Sequence, residues 1–247
     1  MADADAVVVT QGTDTLEETS YLFDRWRAWP KPLVFTGAMR NPSLLSPDGP
    51  ANLFMALEAA KAPELRDVGV VVAIGDEVHA ATFVRKVWSQ RVHAFASPEA
   101  GPVAWYAEGR FHRLFTPPDH PHFGPERLTA RVPLVRLTLG MTPEDLPSGH
   151  VDAVVLEGMG GGHVPECLLP TIDAWLEGGV AVVVVPRPDL GPPLFDTYAF
   201  RGSERDLLQR GAVMGRGPGL KTRLRLWLAL SKGRLSRAEV AEVAMAF

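Results

Sequence analysis

Short apolar runs recur along the chain, and amphipathic segments lie between them. The runs are rich in β-branched residues and end in glycine or polar residues, which is typical of buried strands. Six such runs occur, at 7–10, 33–35, 68–74, 132–137, 151–156 and 180–185. Helical spacing predicts helices from Thr15 onward and at about 51–60, 165–176, 220–231 and 236–244. This alternation predicts an α/β fold with parallel strands covered by helices.

A segment dense in proline, histidine and glycine interrupts this alternation between Pro117 and Glu126. We interpret residues 117–130 as a linker between an N-terminal domain, 1–116, and a smaller α/β C-terminal domain, 131–247. His120 and His122 lie two residues apart in this linker. No cysteine or carboxylate completes a recognisable metal site around them. We therefore predict a mobile surface loop and no bound metal.

The composition and net charge of the chain limit the kinds of partner that we expect it to bind. Hydrophobic residues make up 46% and charged residues 22% of the 247 positions, and the net charge is −4. This balance gives no reason to expect nucleic acid or an anionic membrane surface as a partner. The single cysteine, Cys167, excludes an internal disulfide. No apolar run reaches the roughly 18 residues of a membrane span, and no signal-peptide pattern precedes Val7, so we expect a cytoplasmic protein.

Polar residues follow three of the N-terminal runs, in Thr10–Asp14, Thr36–Arg40 and Gly75–Glu77. Ligands of parallel sheets bind at the carboxyl ends of strands, so these segments are expected to lie close together. In the first, a glycine turn is followed at once by Thr13 and Asp14. The alternative is that either residue simply caps the next helix. Thr15-Leu-Glu-Glu18 also has the form of a capping box.

The stretch Val7–Thr19 resembles the signature of the bacterial L-asparaginase family, in which a valine-rich strand leads into HGTDT and a helix opening with x-E-E-T. Gln11 stands where the family often has histidine. Further motifs resemble the family's in the same order. They are KPLVFTGAMR at 31–40, SPDGPANL at 46–53, VVAIGDEVH at 71–79, FVRK at 83–86 and FASPEAGP at 95–102. The resemblance runs from about residue 5 to the end, more loosely after Ala104.

This resemblance implies hydrolysis of an amino-acid side-chain amide through two threonines, with no metal or organic cofactor. One threonine forms an acyl intermediate, and the second belongs to a Thr-Asp-Lys group that activates or positions water. By position, the second group is Thr13, Asp14 and Lys86 here. Asp14 would also meet the substrate's α-ammonium group. Gly12 and the Ala38 carbonyl are the neighbouring substrate-binding candidates.

The resemblance also implies a homo-oligomer, dimer or tetramer, because the family builds each site between subunits. Gly158–His163 resembles the family's G-x-G-x-G-N/H-x-P loop, which reaches a neighbouring active site, and Glu204 matches a glutamate donated across the same interface. His163 and Glu204 are therefore substrate-binding candidates. Dinucleotide binding by this glycine turn is disfavoured, since no acidic partner follows at the right place. A solvated helix face is expected for five basic residues, Arg216, Lys221, Arg223, Arg225 and Lys232.

The family's opening T-G-G-T-I strand, whose first threonine is the nucleophile, has no counterpart in the printed residues. Two βα units, about 60–70 residues at roughly 30 per βαβ step, are expected to precede the strand at Val7. Two hypotheses follow. In one, the chain is part of an asparagine-hydrolysing enzyme and is inactive as written. In the other, it is a shortened, catalytically dead homologue that acts as a binding or oligomerisation module. A glutaminase-type relative is the alternative within the enzyme hypothesis.

Overall fold

The structure, a computed structural model, describes residues 3–246 and divides into two compact units, residues 1–122 and 123–247. Each unit contains its own sheet and its own hydrophobic core. None of the helices in the described part of the chain combines the length and apolarity needed to cross a bilayer.

The first unit contains eight strands and two α-helices among its described residues. In chain order these are β1 (Val7–Thr10), α1 (Leu16–Trp26), β2 (Leu33–Thr36), α2 (Gly49–Lys61), β3 (Val71–Ile74), β4 (Glu77–Ala80), β5 (Arg85–Lys86), β6 (Phe95–Ala96), β7 (Ala104–Ala107) and β8 (Arg110–Arg113). Six of the strands form one sheet in the order β1-β2-β3-β4-β7-β8. β5 and β6 form a separate two-stranded sheet.

The first three strands of the large sheet are parallel, as their apolar runs predicted. Val7 pairs with Leu33, and Val34 pairs with Val71. All residues of β2 and β3 are buried, because helices cover both faces of this half of the sheet. Leu16 of α1 belongs to the core on one face, and Met55 of α2 belongs to the core on the other.

The second half of the large sheet is antiparallel, and the hydrophobic pattern did not predict it. β3 turns directly into β4 at Gly75-Asp76, where both residues have positive φ, at 62° and 64°. β7 turns into β8 at Glu108-Gly109 in the same way, with φ of 51° and 77°. Two-residue turns of this kind match the twist of antiparallel strands. A glycine next to an acidic residue was therefore a hairpin signal at both places.

The start of α1 differs from the predicted capping box. Thr15 occupies the N-cap position, but its side chain makes no capping hydrogen bond. Its backbone lies at φ −122° and ψ 15°, outside the extended region that N-cap residues usually adopt. The Thr15 hydroxyl oxygen instead accepts a hydrogen bond from the Gln11 side-chain amide at 3.0 Å. The prediction of a capping box was therefore wrong.

The second unit has four parallel strands in the order β12-β11-β10-β9. Its elements are β9 (Leu134–Arg136), β10 (Ala153–Gly158), α3 (Leu169–Glu177), β11 (Ala181–Pro186), α4 (Glu204–Arg210), β12 (Val213–Met214), α5 (Gly219–Leu230) and α6 (Arg237–Met245). The apolar pattern predicted all but α4 and β12. β12 is only two residues long, and α4 is only seven, which leaves little periodicity to detect.

Two of the five C-terminal basic residues do not lie on a solvated face. Lys221 and Arg225 are each 3% exposed. Arg225 donates from Nε to the Val243 carbonyl and from Nη2 to the carbonyls of Arg216 and Ala244. Its guanidinium thus satisfies carbonyls at the end of α6, an arrangement that favours burial of a cation. The solvated-face prediction was wrong for these two residues.

The His120 side chain differs from the loop prediction. It is 11% exposed, and its Nε2 lies 3.2 Å from a carboxylate oxygen of Asp24, itself 4% exposed. The charged form of a buried carboxylate needs polar or charged partners. His120 of the linker is such a partner for Asp24. His122 remains exposed. The prediction of a mobile surface loop was therefore wrong for His120.

Candidate active site

Asn52 of α2 brings the polar ends of the parallel strands together. Its side-chain nitrogen donates to the Gly37 carbonyl after β2 at 3.0 Å, and its oxygen accepts from the Gly75 N–H after β3 at 3.0 Å. The Gln11 N–H after β1 donates to the Thr36 carbonyl at 3.0 Å. The three segments expected to lie together at the carboxyl ends of the strands are therefore neighbours.

Asp48 shapes the loop that follows β2. Its two carboxylate oxygens accept the N–H groups of Met39 and Arg40 at 2.9 and 2.8 Å. Burial works to raise the pKa of the Asp48 carboxyl, but these backbone hydrogen bonds outweigh it and hold that pKa below its ordinary value. The loop after Ala38 is thus held by an ionised carboxylate.

Thr13, Asp14 and Lys86 meet as the family resemblance implied. The Lys86 ammonium donates to the Thr13 hydroxyl oxygen at 2.9 Å and lies 3.2 Å from a carboxylate oxygen of Asp14. Lys86 is 17% exposed, whereas Asp14 is 98% exposed. A hydroxyl, an ammonium group and a carboxylate therefore share one edge of the sheet, with the carboxylate open to an incoming ligand.

Two glycines lie beside this group, Gly37 packed closely against Thr13 and Gly12 in open space. A Cβ atom added to Gly37 would lie 2.6 Å from the Gln11 carbonyl oxygen and 3.1 Å from the Thr13 methyl group. Gly37 therefore allows β2 and the Thr13 turn to approach closely. Gly12 is exposed and has open space around it, and Ala38 is exposed next to Gly37. Both predicted substrate-binding positions are thus accessible on this side of the first unit.

The geometry of this group is that of a proton-transfer site. A neutral threonine hydroxyl is a weak nucleophile and needs a neighbouring base or a charged network. Lys86 is within hydrogen-bond distance of the Thr13 oxygen, which is the geometry that a proton relay requires. Asp14 lies next to the same ammonium group and offsets its charge.

In the second unit, His163 and Glu204 lie against each other. The His163 Nε2 atom is 3.2 Å from a Glu204 carboxylate oxygen. The other Glu204 oxygen accepts the N–H groups of Thr197 and Tyr198 at 2.6 and 2.5 Å. The rings of Tyr198 and Phe200 meet the His163 ring edge-on. Both predicted residues thus belong to one polar–aromatic cluster.

Glu204 is fully buried, and this burial works to raise its pKa. The backbone N–H groups and the nearby His163 outweigh that effect and hold the pKa of Glu204 below its ordinary value. The cluster therefore contains an ionised carboxylate at neutral pH.

The glycine-rich turn before His163 forms a tight loop, closed by paired hydrogen bonds between Met159 and His163. A Cβ atom on Gly162 would lie 2.5 Å from the Met214 side-chain methyl, and Gly162 has φ of 116°. These glycines let β10 lead directly into the loop that presents His163.

No group of three or more histidine, cysteine or acidic side chains in residues 3–246 is arranged to hold a metal ion. The side chains described above carry hydroxyl, ammonium, imidazole and carboxylate groups.

Comparison with known proteins extends this picture to the whole chain. Residues 1–118 match the family described as "Asparaginase, N-terminal", and residues 131–243 match "Glutaminase/Asparaginase C-terminal domain". The chain belongs to the asparaginase family. Its residues therefore carry an asparaginase-type amidohydrolase architecture in both units, and the resemblance stated from the motifs is confirmed.

Several bacterial relatives cover nearly all of this chain. It is 33% identical over 246 residues to a "Probable L-asparaginase" of Deinococcus radiodurans, covering 97% of this chain and 74% of that one. It is 32% identical over 241 residues to "L-asparaginase 2" of Bacillus subtilis, covering 93% and 62%. It is 30% identical over 243 residues to a "Probable L-asparaginase periplasmic" of Haemophilus influenzae, covering 92% and 66%.

The residues that support Thr13 and Lys86 were not predicted from the sequence. The motif Ser46–Leu53 contains two of them, Asp48 and Asn52. An acidic residue before a helix and an asparagine one turn later are a signal for side chains that bind nearby backbone groups. Glu17, whose carboxylate contacts the Lys86 backbone, had no such signal because its partner lies 69 residues away.

Proposed function

We propose that this chain contributes the proton-transferring half of a site that hydrolyses the side-chain amide of L-asparagine to L-aspartate and ammonia. The observation that supports this most directly is the contact of Lys86 with both Thr13 and Asp14. The names of the relatives from Deinococcus and Bacillus agree with this substrate.

In this proposal, Thr13 acts at the reacting atoms in two steps. As the acyl-forming hydroxyl attacks the amide carbon, its proton passes through Thr13 to Lys86 acting as an amine, Lys86 returns a proton to the departing nitrogen, and ammonia leaves an acyl ester behind. Water then attacks this ester, its proton follows the same path to the ester oxygen, and L-aspartate and the free hydroxyl are released. Asp14 offsets the charge that forms on Lys86, and its exposed carboxylate binds the substrate's α-ammonium group.

The experiment measures ammonia release from L-asparagine in two arms. One arm uses the 247-residue chain, and the other uses the same chain joined to a T-G-G-T-I strand segment of the family. We expect ammonia release in the arm with the T-G-G-T-I segment, because that segment supplies the acyl-forming hydroxyl. Thr13→Val and Lys86→Met should lower it by about 100-fold or more, since the proton relay is lost. Thr13→Ser keeps the hydroxyl and is the matched control.

Circular dichroism establishes that each variant is folded. Release that is unchanged in Thr13→Val would overturn the proposal. A folded protein that releases no ammonia in either arm would also overturn it and favour the hypothesis of a binding or oligomerisation module. A higher rate with L-glutamine than with L-asparagine would reassign the substrate to the glutaminase type.

We propose further that the protein forms a homo-oligomer in the cytoplasm. In support, α2 exposes three large apolar side chains, Leu53 at 40%, Phe54 at 56% and Leu57 at 47%. Apolar groups that are exposed together are typical of surfaces that associate. Light scattering at working concentration tests the oligomeric state, and a monomer would contradict the proposal. Cell fractionation tests the cytoplasmic location.

A further inference from the structure

Helix α1 contacts the segment that carries Lys86 at two separate points. At its first turn, the Glu17 carboxylate accepts the Lys86 backbone N–H at 2.7 Å. Glu17 follows Asp14 by three residues, so the turn that holds Thr13 and Asp14 continues directly into the helix that holds Lys86. The turn that carries Thr13 and Asp14 is therefore continuous with the helix that fixes Lys86.

The second contact lies at the other end of the helix. The Arg25 guanidinium donates from Nη2 to the Thr82 hydroxyl oxygen at 2.9 Å, and this hydroxyl donates to an Asp24 carboxylate oxygen at 3.2 Å. Arg25 is fully buried, Asp24 is 4% exposed and Thr82 is 7% exposed. Thr82 precedes Lys86 by four residues.

Burying the charges of Arg25 and Asp24 is costly, because the loss of hydration offsets much of their attraction. Burial raises the pKa of Asp24 above its ordinary value, against the opposing effects of Arg25 and of hydrogen bonds from Val70 and Thr82. Fixing register is the best-attested role of buried ionic groups. Here they fix the segment between β4 and β5 against the last turn of α1.

The strand that carries Lys86 needs such support. β5 is two residues long, and its strand partner is β6, in a two-stranded sheet separate from the large sheet. The Lys86 N–H donates to the Glu17 carboxylate of α1. The position of the Lys86 backbone therefore depends on the contact with α1.

We propose that Glu17 is a positioning residue that holds the Lys86 ammonium group on Thr13. Thr82 is the second anchor of the same segment. The proposal rests on the function proposed above, because the position of Lys86 matters only where it transfers a proton. Glu17 acts through the backbone of Lys86 and makes no contact with substrate.

The test compares Glu17→Ala with Glu17→Gln. Alanine removes the acceptor, whereas glutamine keeps an oxygen at the same reach and removes only the charge. Glu58→Ala, at a half-buried position of α2 where the carboxylate pairs with Lys61, controls for the loss of a helical glutamate. In Glu17→Ala we expect exchange of the Lys86 backbone amide to be at least about 10-fold faster, because its hydrogen bond is lost. The nuclear Overhauser contact between the Lys86 side chain and the Thr13 methyl group should weaken.

For turnover, Glu17→Ala should lower kcat by about 10- to 100-fold with KM changed less than about twofold, as expected of misplaced catalytic groups. Glu17→Gln should recover most of both losses. Unchanged amide exchange and contact in Glu17→Ala would overturn the proposal. Equal losses in Glu17→Gln and Glu17→Ala would also overturn the proposal. The charge of Glu17, and not its hydrogen-bond acceptor, would then be responsible. These rates are measured in the chain joined to the T-G-G-T-I segment. If neither that protein nor the 247-residue chain shows turnover, the proposed function fails, while the amide exchange and the Overhauser contact still decide the role of Glu17.

Discussion

Replacing Asn52 by alanine should loosen the edge of the sheet at which Thr13 and Lys86 meet. Asn52 is 3% exposed, so water does not readily replace its side chain. The change leaves the Gly37 carbonyl and the Gly75 N–H without their present partner. Each buried backbone group left unpaired costs about 1–3 kcal/mol, so we expect a loss of about 2–4 kcal/mol once partial hydration is allowed.

Two measurements test this magnitude. Urea unfolding gives the loss of stability, and amide exchange at Gly75 reports the local opening, which matters because a chain with two compact units need not unfold in one step. Opening at Gly75 should become about 30-fold or more easier, since each 1.4 kcal/mol is a factor of about ten.

Asn52→Asp is the matched control. It keeps an oxygen for the Gly75 N–H but has no donor for the Gly37 carbonyl, and it places a second carboxylate beside Asp48, 3.1 Å from the replaced nitrogen. Gly75 should therefore stay protected while overall stability still falls. A loss below about 0.5 kcal/mol in Asn52→Ala, the range of ordinary surface changes, would refute the reasoning.

Two further predictions concern the second unit. Because the pKa of Glu204 is lowered in the folded protein, its ionised form stabilises the fold above the ordinary value of 4.5, and this contribution is lost as pH falls through the folded-state pKa. Melting temperatures measured against pH should thus fall less steeply on the acid side in Glu204→Gln, and parallel curves would contradict this. Arg225→Met should cost about 2–5 kcal/mol in urea unfolding, because three carbonyls lose a charged donor. The exposed Arg234→Met is its control and should stay within about 0.5 kcal/mol of the wild type.

The parallel core strands could be predicted because they are runs of mainly apolar residues, and β2, β3 and β10 are buried on both faces. The hairpins β3–β4 and β7–β8 were missed because β4 and β8 mix polar and apolar residues, and only Gly75-Asp76 and Glu108-Gly109 marked the turns. Thr13, Asp14 and Lys86 were found through motif resemblance, since residues 73 positions apart share no periodicity. Buried polar residues such as Arg25 and Arg225 were inaccessible to a pattern that equates charge with exposure.

The length of α1 also constrains how this part of the chain can change. Glu17 and Asp24 are seven residues apart, close to two turns of an α-helix, so both face the segment from Thr82 to Lys86. One residue inserted between them would rotate the later anchor by about 100° and shift it by about 1.5 Å. Such an insertion would leave the apolar composition and every site residue unchanged, yet it would separate the two anchor points. The spacing within this helix is therefore part of the functional information in the chain, and gains or losses of single residues should be tolerated in surface loops but not in α1.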